Sequence, residues 1–247
     1  MNIVKTLLKT LLLLAALGYL VFALVKVSRP TDEMVCTGTE LLFADSGAVN
    51  LIDKATVEKY LVQHKISPKG RRLADIDIRG IEHTLADNPY VDTVTCYHTA
   101  SGKLCIRIKP LHPIAHVFAQ DGDEFYIDDK GTVMPAGGLN ADLIVVTGHA
   151  SRQFVAKRLL PLCRFLSEDV YWNRQTEQVN ITPKGEVEII PRYAQQRILL
   201  GEPKNFVPKL ERVRLFYEKA MPKTGWNKYN TINATYEGQI ICTKDKQ

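Results

Sequence analysis

Apolar positions run almost unbroken from residue 7 to 25 (LLKTLLLLAALGYLVFALV), interrupted by the single charge of Lys9. At ~1.5 Å per residue a helix of that length spans roughly 28 Å, enough to cross a hydrocarbon core. The pattern therefore predicts a transmembrane helix over 7–25, with residues 1–6 as a cytoplasmic tail. A cleaved signal peptide is the rival. Its best cleavage triplet, Val21-Phe22-Ala23, lies inside the apolar run and is followed by Leu24 and Val25, so an uncleaved anchor is the better reading. Lipidation at Cys36 is disfavoured by Glu33, Met34 and Val35, which lack the small residue expected before a lipidated cysteine. So short a tail cannot be a domain, which places the working part beyond residue 29, outside the cytoplasm.

Beyond the span the period changes. Residues 35–43 read as a strand broken at Gly38, and 53–62 as a helix with Val57, Tyr60 and Leu61 on one face. A second helix over 77–86 aligns Ile78, Ile81 and Leu85 and stops at Asn88-Pro89. Two strands follow, 91–98 and 103–109, the second alternating Leu104, Ile106 and Ile108 with Lys103, Arg107 and Lys109. Strand, helix, helix, strand, strand can bury both helices against one face of a three-stranded sheet, leaving the other face and an edge for partners.

The remainder reads as short strands at 114–118, 124–127, 132–134 and 143–146, then a helix over 153–166 that Pro161 must kink or divide. A hairpin (178–182 and 186–190) and a strand at 196–200 lead to a helix over 208–220 with Leu210, Val213, Phe216 and Tyr217 inward. The chain closes on strands 231–236 and 239–243, turning at Glu237-Gly238. The whole is α+β: a membrane helix, a small βααββ unit over 33–110, and a mostly antiparallel β domain with flanking helices over 111–247.

Charge sharpens this division. The net charge of +5, from 32 Lys+Arg against 27 Asp+Glu, falls to +1 once Lys5, Lys9, Lys26 and Arg29 around the span are set aside. A near-neutral remainder lacks the clustered basic surplus that a phosphate-tracking domain needs. Five cysteines are too few and too scattered for a disulfide scaffold. Cys96 and Cys105 flank 99–102, so a four-residue loop would set them opposite each other, either bridged or as two buried thiols.

Catalytic and metal constellations fail one by one. His112 and His116 are four apart but Pro113 breaks a helix, and no third ligand follows. Asp121-Gly122-Asp123 starts like a calcium loop, yet Phe125 occupies a ligand position. Asp128 and Asp129 are neighbours on an extended chain and so point to opposite faces. No nucleophile elbow, phosphate loop or dinucleotide fingerprint is present. The expectation is a tethered, non-enzymatic protein with no cofactor and no metal.

The stretch 85–134 (LADNPYVDTVTCYHTASGKLCIRIKPLHPIAHVFAQDGDEFYIDDKGTVM) carries Asn88-Pro89-Tyr90-Val91, the strand Leu104-Cys105-Ile106-Arg107-Ile108, the step Pro113-Ile114-Ala115, and Tyr126-Ile127-Asp128-Asp129-Lys130-Gly131. In this order they resemble the signature of the FtsQ/DivIB cell-division family, and the run from Gly225 to Ile232 is similar to its Bacteroidota members. The resemblance covers nearly the whole chain and implies a POTRA-like domain followed by a β domain. It also implies a bitopic divisome scaffold at the division site, in the cell inner membrane, with its C-terminal part in the periplasm. The β domain is expected to bind FtsB- and FtsL-like bitopic proteins, and the POTRA-like unit other divisome proteins. By position the implied partner edge is the strand 239–244 with its turn, that is Tyr236, Glu237, Gly238, Gln239, Ile240 and Ile241, where an added strand can satisfy unpaired backbone groups. Lys109 departs from the family pattern, which usually carries an acid there. The competing expectations are a POTRA-containing envelope assembly or secretion component and an anchored envelope hydrolase.

Overall fold

A computed structural model describes residues 2–27, 34–44, 51–137, 142–193 and 196–244. The first element is a helix, α1 (Asn2–Val27). Its described side chains, residues 11–23, include Leu11, Leu14, Leu17, Leu20 and Phe22, all exposed. Among the described residues no helix is long and apolar enough to cross a membrane. The expected start of the βααββ unit at residue 33 lies outside the described residues.

The chain divides into two compact units, one of Met1–Leu42, Lys54–Leu85 and Val94–Ile108, the other of Phe43–Asp53, Ala86–Thr93 and Lys109–Gln247. The first contains β1 (Thr39–Phe43), α2 (Lys54–Gln63), a 3-10 turn (Leu73–Asp75) and α3 (Ile78–Ala86). Most of β2 (Val91–His98) and β3 (Leu104–Pro110) also belongs to it. The three strands lie in the order β1-β3-β2. Helix α2 buries Val57 and Leu61, α3 buries Ile81 and Leu85, and β3 buries Leu104, Ile106 and Ile108 on one face, with Cys105 buried on the other.

The β2–β3 hairpin turns one residue tighter than its sequence suggests. Thr99 N–H donates to Lys103 O at 2.9 Å, closing the loop over Ala100, Ser101 and Gly102, and Gly102 takes φ +75°. A one-residue change of register moves a side chain to the other face. Cys105 accordingly lies beside Tyr97, while Cys96 sits where its own N–H meets Glu82 Oε1 at 2.7 Å. Both thiols are free and buried.

The second unit is built on a nine-stranded sheet in the order β12-β11-β10-β9-β8-β7-β4-β5-β6. Its strands are β4 (Pro113–Ala119), β5 (Glu124–Asp128), β6 (Val133–Pro135), β7 (Ile144–Gly148), β8 (Thr176–Ile181), β9 (Val187–Pro191), β10 (Arg197–Gly201), β11 (Thr231–Asn233) and β12 (Ile241–Thr243). Five neighbouring pairs are antiparallel. Three are parallel: β4 with β7, β7 with β8, and β10 with β11. The sheet is thus mixed: helical crossovers deliver the chain in parallel for β7 with β8 and β10 with β11, and the β4–β5–β6 meander returns β7 parallel beside β4. Together with the three-stranded unit and the helices, this is an α+β chain.

The first crossover runs through α4 (Arg152–Phe154), a π-helical stretch (Val155–Leu159), α5 (Leu160–Glu168) and α6 (Val170–Gln175). The expected kink at Pro161 takes the form of that π stretch, in which Leu160 N–H reaches back to Val155 O. A proline cannot donate to the turn before it and crowds the carbonyl four residues back, and a widened turn relieves both. The second crossover is α7 (Phe206–Lys219) and α8 (Met221–Thr224). Val155, Leu159, Leu162, Leu166, Leu210 and Val213 of the helices form one core with Val117, Phe125, Val146, Val179, Ile189, Ile198 and Ile232 of the sheet.

Candidate functional site

A single-layered sheet has two edges, and in the second unit they differ in chemistry. At one end β6 finishes on Pro135, which has no N–H to offer, and the Pro135 carbonyl accepts a hydrogen bond from the Tyr90 hydroxyl at 3.3 Å. Here the face opposite the helices is also covered. Tyr126 and Met134 are buried with Leu111 and packed by Leu51, Tyr90, Ala136 and Leu143. This end is closed both along its edge and across its face.

At the other end no described strand continues the sheet. β12 pairs only with β11 in the sheet order, through Thr231↔Thr243, Ile232↔Cys242 and Asn233↔Ile241, and is the terminal strand. Cys242 turns inward with Ile232, which is fully buried, and packs on the core. Ile241, one residue away, projects to the other face and is 46% exposed. A short strand with a free edge and a half-exposed isoleucine beside it is a template for an added strand.

Of the six residues expected at this edge, the structure places Ile241 alone in a strand. β12 spans Ile241–Thr243 rather than 239–244, and β11 ends at Asn233 instead of continuing to 236. Asn233 ends it by folding its side chain back to accept the Thr235 N–H at 3.0 Å. Ala234 N–H then bonds Leu199 O at 2.9 Å, and Arg212 holds the Tyr236 carbonyl at 3.0 Å. Gly238 adopts φ +70° in the connection, a conformation open to glycine at no steric cost. Tyr236 is 52% exposed beside the edge, Glu237, Gly238 and Gln239 are exposed, and Ile240 is half-buried against the core.

The residues weighed for chemistry are engaged structurally. His116 Nε2 meets Glu124 Oε1 at 2.8 Å, with its ring between Phe118 and Tyr126. Arg152 grips both oxygens of Asp123 at 2.6 and 2.8 Å, and this hydrogen bonding holds that carboxyl below its usual range. Asp128 is buried and caps its own turn, accepting from Lys130 N–H at 3.0 Å and Thr132 N–H at 2.6 Å. Among the described residues no group of three or more His, Cys, Asp or Glu gathers as a metal site. Lys109, the departure from the family pattern, finds an acid elsewhere: Asp92 lies 3.3 Å from Lys109 Nζ and 3.2 Å from Lys130 Nζ.

Residues 34–109 match the model of the POTRA-like domain. Residues 112–243, more than half of the chain, match the family described as FtsQ/DivIB, C-terminal related. No curated protein matches the sequence. The order of the two matched domains, with the open-edged sheet inside the second, makes this chain a member of the FtsQ/DivIB family of cell-division proteins.

Proposed function

We propose that the chain is a single-span divisome scaffold that links early and late division proteins through its exported domains. The observation that carries this reading is the contrast between the two sheet edges of the FtsQ/DivIB-related domain: β6 is capped by Pro135 and Tyr90, whereas β12 ends the sheet with Ile241 half-exposed. A bitopic partner of the FtsB and FtsL kind adds as a further strand at β12. Ile241, Tyr236 and the connection through Glu237, Gly238, Gln239 and Ile240 form the contact. The POTRA-like domain engages other division proteins.

Helix α1 anchors this assembly in the cytoplasmic membrane. Its thirteen described side chains, residues 11–23, are too short a run to cross a bilayer by themselves and place leucines on every side; with the flanking residues of 7–25 the apolar run reaches ~28 Å at the usual rise. A helix that is apolar all round has no polar face to give to water, which suits lipid. In this arrangement the protein acts by holding partners in place, and the ionised side chains considered for catalysis serve as turn caps and ion pairs.

A fluorescent fusion followed through growth tests the reading. Recruitment to the constriction site, with filamentation on depletion, is the expected result. A uniform envelope signal with normal septation contradicts it and favours envelope assembly or secretion.

A further inference from the structure

A recess of about 240 Å³ lies in the second unit between α6, α7 and the segment that follows α8. Its walls are Tyr171, Gln175, Tyr193, Tyr217 and Trp226. The fold holds most of these residues firmly. Asp169 caps α6 by accepting the Tyr171 and Trp172 N–H groups, both at 2.9 Å. Gln196 donates its amide to the Trp226 carbonyl. Tyr217 and Trp226 stack with centroids 5.7 Å apart and planes 17° from parallel, so the two rings form one stepped platform. Trp226 is 49% exposed and Tyr193, on the opposite rim, 78%.

The polar character of the recess is specific. Among the described residues no ionised side chain lines it. Arg214 covers the Tyr171 ring at 4.7 Å while paired with Glu218, and the run 219–236 holds three lysines and no acid. A cationic guest would meet like charge around the aromatic faces, and an anion would find no cation within the lining. The Tyr217 hydroxyl is sealed off behind the recess and has no hydrogen-bond partner among the described residues, so Tyr217 offers a guest only the edge of its ring. The Gln175 amide adds a neutral donor and acceptor. An apolar side chain from a partner would cover the rings but strip the Gln175 amide of water without replacing its hydrogen bonds.

We propose that this recess binds a neutral saccharide ring, its C–H face on Trp226 and Tyr193 and its hydroxyl edge toward Gln175. The exported placement proposed above makes a glycan strand of the cell wall or a free soluble sugar the two sources of that chemistry. The site uses none of the residues of the β12 edge, so the two readings fail separately.

The experiment uses the full-length chain in detergent micelles, with a tetramer of N-acetylglucosamine as probe and tryptophan emission as readout. Trp172 is buried, which leaves Trp226 as the responsive indole. Saturable blue-shift and protection from acrylamide are expected. Tyr193→Ala, a change at an exposed position, should weaken the response about ten-fold. Ile241→Asp at the β12 edge should leave it intact. Wild-type protein sedimenting with isolated sacculi, and Trp226→Ala remaining in the supernatant, supports wall glycan as the source. Oligosaccharide binding without sacculus binding supports the site with a soluble sugar as its ligand. Absence of any spectral response overturns the proposal. So does retention of wild type and Trp226→Ala on sacculi to the same extent, or a response to an apolar peptide and not to the oligosaccharide.

Discussion

Replacing Ile241 by Asp probes the β12 edge where it is cleanest. The side chain is 46% exposed and faces away from the helix-packed core. Full burial of an isoleucine is worth ~1.5–3 kcal/mol, so covering the exposed half contributes about 1 kcal/mol to capture of an added strand. A carboxylate in its place removes that gain and must be desolvated beside the incoming backbone. The combined loss is roughly 1–2 kcal/mol, or about five- to thirty-fold in Kd. Because Ile241 is an edge residue, the melting midpoint should stay close to wild type, as a surface change costs within about 0.5 kcal/mol. Titration of the full-length chain with the exported segment of an FtsB-like partner reads the affinity, and thermal unfolding reads the fold. An affinity within about two-fold of wild type in a folded variant refutes the edge assignment. Ile240→Pro is a less discriminating choice, since Ile240 lies outside β12 and packs on the core.

Three further outcomes follow from the packing. Gly148 has φ +85°, and a Cβ there would stand 2.3 Å from Ile181 O, so Gly148→Ala should cost about 3 kcal/mol or more, read from urea unfolding. Asp92 is held below the usual carboxylate range chiefly by its hydrogen bond to Lys130, with Lys109 adding to it. Its stabilisation is therefore complete above about pH 4, the unfolded value, and fades as pH falls through the lower folded value. Asp92→Asn should flatten that acid limb, and an unchanged slope between neutral and acid unfolding midpoints would count against the pairing. Burial, followed by Glu82 and Cys105, pushes the Cys96 thiol up to about 12, so maleimide should label it slowly in native protein and rapidly in denaturant. Mass spectrometry of an untreated sample should find no Cys96–Cys105 bridge.

Much of the architecture was visible in the periodicity, and the departures have identifiable physical causes. The alternation of Leu104, Ile106 and Ile108 places β3, and the spacing of Ile81 and Leu85 places α3, because one face of each is buried. Two of the three parallel pairings, β7 with β8 and β10 with β11, follow from the helices between 143–146 and 178–182 and between 196–200 and 231–236, since such crossovers join parallel strands, whereas β4 with β7 is joined through β5 and β6 without a helix. Alternation within each strand carries no such directional signal. Helix α6 is six residues long, too short to show a period, and only Asp169 as a cap announces it. The ends of β11 and β12 depend on tertiary hydrogen bonds from Asn233 and Arg212 that local pattern does not encode. The edge itself emerged from family resemblance. Its openness relative to β6 rests on Tyr90 meeting Pro135, forty-five positions away in sequence. The aromatic recess likewise gathers residues from 171 to 226 that share no motif.

The central claim is that partners join this protein at β12 and not at β6. A photo-crosslinking amino acid placed at Ile241, and in a second strain at Val133 of β6, tests it in dividing cells. Crosslinking from position 241 to a small single-span protein, with none from position 133, is the predicted result. Equal crosslinking from both positions, or crosslinking from 133 alone, would contradict it.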